Sequence, residues 1–312
     1  MNFIFLMDPL DTVVMDKDTT FILMLGAHRK GHKIFYLPDG GMTLRDGQLF
    51  FDTISVVPQQ NKERPFIQGE EIILQEDEIN AIFIRNDPPF DQQYLMNTWL
   101  LDKLMRRIPV INSPNGIRTV NEKIWVTQFT SIIPSTMISR QKDDLWDFIK
   151  SHHHVVAKPT DGFGGQSVFQ IQHNDTNTQV ILETLTAYWS REIILQKYIP
   201  QAQHGDKRIL LLDGEPLGAV LRVHSSHDHR NNLFAGGKSH PAEITNRDRE
   251  IIDEIKPQLQ RLGLYFVGID IIGDYLIEVN VTSPTCLQEM NYLYHKQLDD
   301  DVIEFVERLI EG

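Results

Sequence analysis

The stretch GIDIIGDYLIEVNVTSP at residues 268–284 constrains the chain more than any other. Apolar runs flank the turn residues Gly273-Asp274 in the pattern of a β-hairpin, yet Asp270, Glu278 and Asn280 stand where a buried strand is apolar. Side chains alternate along a strand, so Glu278 and Asn280 share a face, roughly 6.6 Å apart, while Ile277, Val279 and Val281 take the other. Carboxylates are costly to bury without partners. Two carboxylates and an amide oxygen instead suit a hard cation such as magnesium, which keeps water and phosphate oxygens as well. A hairpin edge whose polar face meets water is the other reading of these residues. Register separates the two. A two-residue turn pairs Ile272 with Tyr275 and sends Asp270 to the face opposite Glu278. A three-residue loop over residues 272–274, with a bulge at the glycine, pairs Asp270 with Leu276 and gathers all three ligand candidates on one face.

At 312 residues the chain exceeds one typical domain, so two or three α/β units are expected. Its 30 lysines and arginines stand against 43 acidic residues, a formal charge of −13, which argues against a nucleic-acid or anionic-membrane surface. An anionic substrate then needs local basic residues. The opening MNFIFLMDPLD lacks a basic n-region and meets Asp-Pro early, and no apolar run approaches the ~20 residues of a spanning helix, so a cytoplasmic protein is expected. The single cysteine, Cys286, excludes an intramolecular disulfide and reads as a small packing residue.

In chain order, a strand at residues 2–7, a helix ending at Gly31 and the strand HKIFYL form a β-α-β opening, which suggests a parallel sheet interrupted by a hairpin around Arg45-Asp46-Gly47. The strand AIFIRND, the turn Pro88-Pro89, a helix over 94–107 and the strand PVINSP complete this unit; no Gly-x-Gly-x-x-Gly follows any strand, so a Rossmann dinucleotide site is not expected. A helix over 119–129 carries Lys123. HVVAKPTDGFGGQSVFQI reads as strand, glycine-rich turn, strand. Gly162, Gly164 and Gly165 let backbone N–H groups converge on an anion, and Lys158 at the strand end supplies a point charge for phosphate. EIILQKYIP is an apolar strand whose end, Gln196 and Lys197, has the character of a hinge against which a flat base can lie. DKRILLLDGEPLGAVLRVH is a hairpin with Arg208 and Arg222 on its two arms; a two-residue turn puts them on opposite faces and an odd-length loop on one. Residues 224–239, with His224, His227 and His229, are polar and glycine-bearing, either a lid or disorder. Neither those histidines nor His152 to His154 are expected to bind metal. A helix over about 247–262, interrupted by Pro257, and the amphipathic DDDVIEFVERLI flank the central hairpin.

This order of features resembles the ATP-grasp carboxylate-amine ligases, and within them the bacterial glutathione synthetase family. The resemblance rests on M-D-P at 7–9, R-N-D-P-P-F-D at 85–91, N-E-K at 121–123, K-P-T-D-G-F-G-G at 158–165, G-D-K-R at 205–208, R-N-N-L-F-A-G-G at 230–237 and E-V-N-V-T-S-P-T-C at 278–286. It implies an ATP-grasp fold behind an N-terminal parallel-sheet domain, with units at 1–118, 119–200 and 201–312. The implied reaction is ATP-dependent condensation of γ-glutamylcysteine with glycine through an acyl phosphate. Such chemistry asks mainly for positioning and charge neutralisation. By position, the resemblance implies that Lys123 and Lys158 contact ATP phosphates beneath the 161–165 loop. Gln196, Lys197, Tyr198 and Ile199 would line the adenine slot, with Asp206 near the ribose. Asp270, Glu278 and Asn280 would hold magnesium, or manganese in its place. Arg208, Arg222, Asn280 and Ser283 would contact phosphoryl or peptide groups, and Arg230 and Asn232 would belong to a lid shielding the acyl phosphate from water. It also implies a homo-oligomer, a tetramer. The sequence departs from the family at RVHSSHDHRNN, where Asn231 replaces a glycine, and at Asn86, where a lysine is usual; both departures touch the peptide side. Another carboxylate-amine ligase with a different acceptor, or an ATP-binding regulatory protein without catalysis, are the alternative readings.

Overall fold

The β-α-β opening forms as strand Asn2–Leu6, helix Thr19–Arg29 and strand Lys33–Leu37, with Asp18 capping the helix by accepting a 2.7 Å hydrogen bond from the Phe21 amide. The computed structural model describes residues 1–104, 107–162, 164–223 and 238–312. Strands Lys33–Leu37, Asn2–Leu6, Ala81–Ile84 and Val110–Ile111 lie parallel in that order, each short and buried, as an apolar run covered on both faces requires. An antiparallel extension of Met42–Arg45, Gln48–Pro58 and Phe66–Gln75 continues the sheet. The predicted helix over 94–107 is shorter, Gln92–Leu101, and strand Phe66–Gln75 has no counterpart in the sequence reading.

A second, antiparallel sheet has the order Phe169–Gln172, His154–Pro159, Ile193–Lys197, Thr136–Ser139. Alternation sorts its two faces: Val155, Ala157, Ile171, Ile193 and Leu195 pack on helices Lys142–His152 and Thr178–Leu185, while Val156, Lys158, Gln170 and Gln196 face a cavity.

The third sheet is antiparallel, in the order Lys238–Pro241, Glu215–Val223, Asp206–Leu212, Phe266–Ile272, Tyr275–Asn280. Ile209, Leu211, Ile269, Ile271 and Val279 pack on helix Asn246–Arg261, in which Pro257 is accommodated. Its other face meets helices Leu287–Tyr294 and Leu298–Glu311 in a core shared with the N-terminal sheet. Asn112 stitches the two sheets together: its side-chain amide donates to the carbonyls of Phe266 and Val281 at 2.7 and 2.8 Å and accepts from the Phe266 amide at 2.8 Å. The mouth between the second and third sheets is thereby fixed beside the ends of the parallel strands.

The helix expected over 119–129 does not form. Helix Pro114–Thr119 ends before Asn121, and a turn at residues 122–124 leads into the single 3-10 turn Trp125–Gln128. The Asn121 side chain accepts from the amides of Lys123 and Ile124, at 3.1 and 2.9 Å, and so competes with helical bonding at that point. Among the described residues no helix is long and apolar enough to cross a membrane.

Candidate active site

Both hairpins of the third sheet close with two-residue turns, Leu212 opposite Glu215 and Ile272 opposite Tyr275. Continued regularly, either ladder would divide the polar residues between faces. Each ladder instead slips by one residue: Leu217 is extra between the pairs Leu210–Gly218 and Leu211–Pro216, and Ile277 between Asp270–Glu278 and Ile271–Leu276. The three-residue loop expected at 272–274 is therefore corrected to a two-residue turn followed by a bulge. The bulge also corrects Ile277, which lines the cavity, while Leu276 joins Val279 and Val281 in the core.

The result is a row of charge across four strands. Arg208 stands opposite Asp270, Asp270 opposite Glu278, and Asp206 opposite Arg222. Arg208 grips Asp270 with two bonds, Nε at 2.5 Å and Nη2 at 2.8 Å, and Arg222 Nη2 reaches the same carboxylate at 3.0 Å while also pairing bidentately with Asp206. The two arginines thus converge. Burial raises the Asp270 pKa, but Arg208 and Arg222 outweigh it and hold the carboxyl well below the usual range. Burial lowers the pKa of Arg222, and Asp206 with Asp270 more than reverses this. Asn280 Nδ2 lies 3.4 Å from Asp270 Oδ2 and donates to the Gly268 carbonyl at 3.2 Å.

Lys123 enters from the turn rather than a helix. Its Nζ pairs with Glu278 Oε1 at 3.1 Å and donates to the Gly162 carbonyl in the glycine-rich turn. Lys158 is 6 % exposed, and its amine lies 3.3 Å from Gln196 Oε1. Burial depresses its pKa to about 8, against the pull of Glu278. Gln196 donates in turn to Thr136 Oγ1 at 2.9 Å and lines the cavity beside Lys158. Gly162, Gly164 and Gly165 line the cavity, the last two at φ +59° and +71°, where a side chain is strained.

These groups surround one cavity of 530 Å³. Its lining divides by chemistry into an apolar set, Val156, Val168, Ile199, Ile272 and Ile277, and a polar set, Asp206, Arg208, Arg222, Asp270, Glu278, Asn280 and Ser283. That division suits a ligand with a flat apolar base and a polyanionic tail. Arg230 and Asn232, with His224, His227 and His229, lie outside the described residues. His154 stacks on Tyr198 with centroids 3.9 Å apart, and no group of three or more His, Cys, Asp or Glu residues forms a metal cage among the described residues. Two carboxylates and one amide fit a cation that completes its shell with phosphate and water oxygens. Cys286 is buried in the cavity wall, and burial pushes its thiol pKa up despite Arg208 and Arg222.

Two contributors escaped the sequence reading. The Glu122 carboxylate accepts from the Val281 and Thr282 amides and the Thr282 hydroxyl, at 2.9, 3.3 and 3.0 Å, so it ties the turn bearing Lys123 to the strand bearing Asn280. Asp87 accepts from Ser283 Oγ at 2.7 Å. Adjacency to Lys123 and to the Pro88-Pro89 turn was the available signal for each.

Residues 1–118 match the model of the prokaryotic glutathione synthetase N-terminal domain, and residues 122–295 match that of the ATP-grasp domain of the same enzyme. The chain belongs to the prokaryotic glutathione synthetase family. Glutathione synthetase of Pseudomonas aeruginosa is 38% identical over 302 residues, 96% of this chain and 95% of its own, and that of Vibrio parahaemolyticus 34% over 308 residues, 98% of each. The ATP-grasp fold extends to more distant structures. The D-cycloserine synthetase DcsG superposes with a TM-score of 0.66 at 14% identity, covering 99% of both chains. The macrocyclase MdnC of Microcystis aeruginosa, bound with precursor peptide MdnA, gives 0.66 at 15%, covering 99% of this chain and all of its own.

Proposed function

We propose that this enzyme joins γ-glutamylcysteine to glycine at the expense of ATP, releasing ADP, phosphate and glutathione. The observation that carries the reading is the convergence of Lys123, Lys158, Arg208 and Arg222 with Asp270, Glu278 and Asn280 around one cavity that apolar side chains also line.

Arg208, Arg222 and Lys123 each have a carboxylate partner. An incoming triphosphate draws Lys123 and Lys158 toward its oxygens, which frees Glu278 for a cation. Asp270, Glu278 and Asn280 would hold that cation, and magnesium suits their all-oxygen donor set. When bound, it neutralises charge on the transferring phosphoryl group. Adenine lies among Val156, Ile199 and Ile277, against the backbone of Lys197 and Tyr198. The glycine-rich turn closes over the phosphates with Gly162, Gly164 and Gly165.

Phosphoryl transfer to the peptide carboxylate needs alignment rather than a protein nucleophile, consistent with a Cys286 thiol held protonated. Glycine then attacks the acyl phosphate, and the oxyanion of the tetrahedral intermediate forms beside the guanidinium groups of Arg208 and Arg222. Ser283, fixed by Asp87, orients the peptide. Cytoplasmic location and a homo-oligomer, a tetramer, belong to the same proposal through the family resemblance. The test is ADP formation across a panel of donors and acceptors. Release that requires both γ-glutamylcysteine and glycine supports the reading; release with another amine alone, or none on any pair, overturns it.

A further inference from the structure

Arg85 follows strand Ala81–Ile84 and is as buried as Arg208 and Arg222. Those two each pair with a carboxylate, whereas among the described residues no carboxylate lies within ion-pair distance of Arg85. Its guanidinium makes two bonds, both to neutral oxygens: Nε donates to Thr20 Oγ1 at 3.0 Å and Nη2 to the Pro284 carbonyl at 3.1 Å. Burial lowers its pKa against the pull of Asp18 and Asp87. A buried cation without a paired counter-charge is costly, so what this position gains is the directed fork of donors.

The fork ends on a strained wall of the reaction cavity. Pro284, Thr285 and Cys286 line that cavity, while Arg85 itself is not among its lining residues. Cys286 takes φ +87°, a left-handed backbone that a side chain disfavours and that surrounding structure must impose. The start of helix Thr19–Arg29 holds both flanks of this turn. Ahead of Cys286, Thr20 orients Arg85 on the Pro284 carbonyl. Beyond it, Thr19 Oγ1 accepts from the Leu287 amide at 3.4 Å, and the Asp18 carbonyl from Gln288 Nε2 at 2.7 Å. Pro284 and Arg208 also pack together on Gly268, where a Cβ would lie 3.0 Å from Pro284 Cβ and 3.2 and 3.3 Å from Arg208 Cδ and Nη1. In so close a packing, displacement of Pro284 is felt at the Arg208 guanidinium.

We propose that Arg85 is a positioning residue for amide formation, acting through Pro284 to hold Arg208 where the oxyanion develops, an inference that rests on the reaction proposed above. In that step the glycine nitrogen bonds to the peptide carbonyl carbon. The bond from that carbon to the phosphoryl oxygen then breaks, phosphate leaves with the electron pair, and the amine proton passes to solvent. The guanidinium of Arg208 is needed while the carbonyl oxygen is charged. The preceding phosphoryl transfer relies on lysines, the glycine-rich turn and the cation, which Arg85 does not touch. Loss of Arg85 therefore separates the two steps.

The test is a single turnover with enzyme in excess of ATP, γ-glutamylcysteine and glycine saturating, quenched in acid and assayed for both ADP and glutathione. In Arg85→Met we expect ADP to form within about threefold of the unaltered rate while glutathione forms about tenfold or more slowly, so that ADP runs ahead of glutathione. Thr20→Val, which removes only the hydroxyl that orients Arg85, is expected to show the same lag at about threefold. Equal slowing of ADP and glutathione in Arg85→Met marks a merely structural role and overturns the proposal, as does an unchanged glutathione rate. If Arg85→Met fails to fold, Thr20→Val decides: ADP and glutathione formed in step overturn the proposal. Absence of ADP formation from γ-glutamylcysteine and glycine by the unaltered enzyme overturns the reaction and the positioning role together.

Discussion

Asp270 and Glu278 face each other across their hairpin because Ile277 bulges out of the ladder between them. Removing Ile277 leaves a regular two-residue hairpin in which Ile271 still pairs with Leu276 and Asp270 with Glu278, so Glu278 and Asn280 keep the cavity face. Deletion of Ile277 is therefore expected to retain ADP formation, lowered by about tenfold or less as the strand straightens and the ligand groups shift slightly. Ile277→Ala keeps the bulge and sacrifices only apolar contact, so it should raise KM for ATP a few-fold with little change in kcat. Steady-state kinetics on both variants separates the bulge from side-chain size.

Arg222 serves two buried carboxylates, Asp206 and Asp270. Arg222→Ala is expected to cost about 3–5 kcal/mol of unfolding stability by leaving buried charge uncompensated. Turnover should fall by on the order of 10²–10³, the effect of removing an oxyanion donor. Denaturant unfolding checks the first and single-turnover kinetics the second.

Lys158 is positively charged below its pKa, which burial sets at about 8. Raising the pH from 7 to 9 neutralises the amine before nucleotide arrives, so KM for ATP should rise about tenfold over that interval if the charged form is the one that binds. Lys158→Arg keeps its charge throughout and should flatten the rise, read from KM for ATP at half-unit steps of pH.

Glu122 satisfies two amides and a hydroxyl on the strand that leads to Ser283. Its truncation to alanine is expected to cost about 1–3 kcal/mol, the penalty of unsatisfied buried donors, and Glu122→Gln should recover most of it by keeping an acceptor. Chemical denaturation of the three proteins measures this directly.

Much of this site is readable in the amino-acid order because its chemistry is local. Polar residues interrupting apolar strands marked Asp270, Glu278 and Asn280, and glycines beside Lys158 marked the phosphate turn. Register was not readable. A bulge is one residue inserted into pairing with a partner strand, and Leu217 and Ile277 are ordinary apolar strand residues by type, so the amino-acid order left the convergence of Arg208 with Arg222 open. Lys123 was placed on a helix over 119–129, whereas Asn121 ties back the amides that a helix would use. Glu122 and Asp87 act on residues 159 and 196 positions away, Val281 and Ser283, a distance at which no sequence period operates.

The central claim is that the carboxylate of the donor peptide is phosphorylated before glycine attacks. γ-Glutamylcysteine bearing ¹⁸O in its cysteine carboxylate, turned over with ATP and glycine, tests it by mass spectrometry of the released phosphate. One ¹⁸O atom per phosphate is the predicted result; unlabelled phosphate formed alongside glutathione would contradict it.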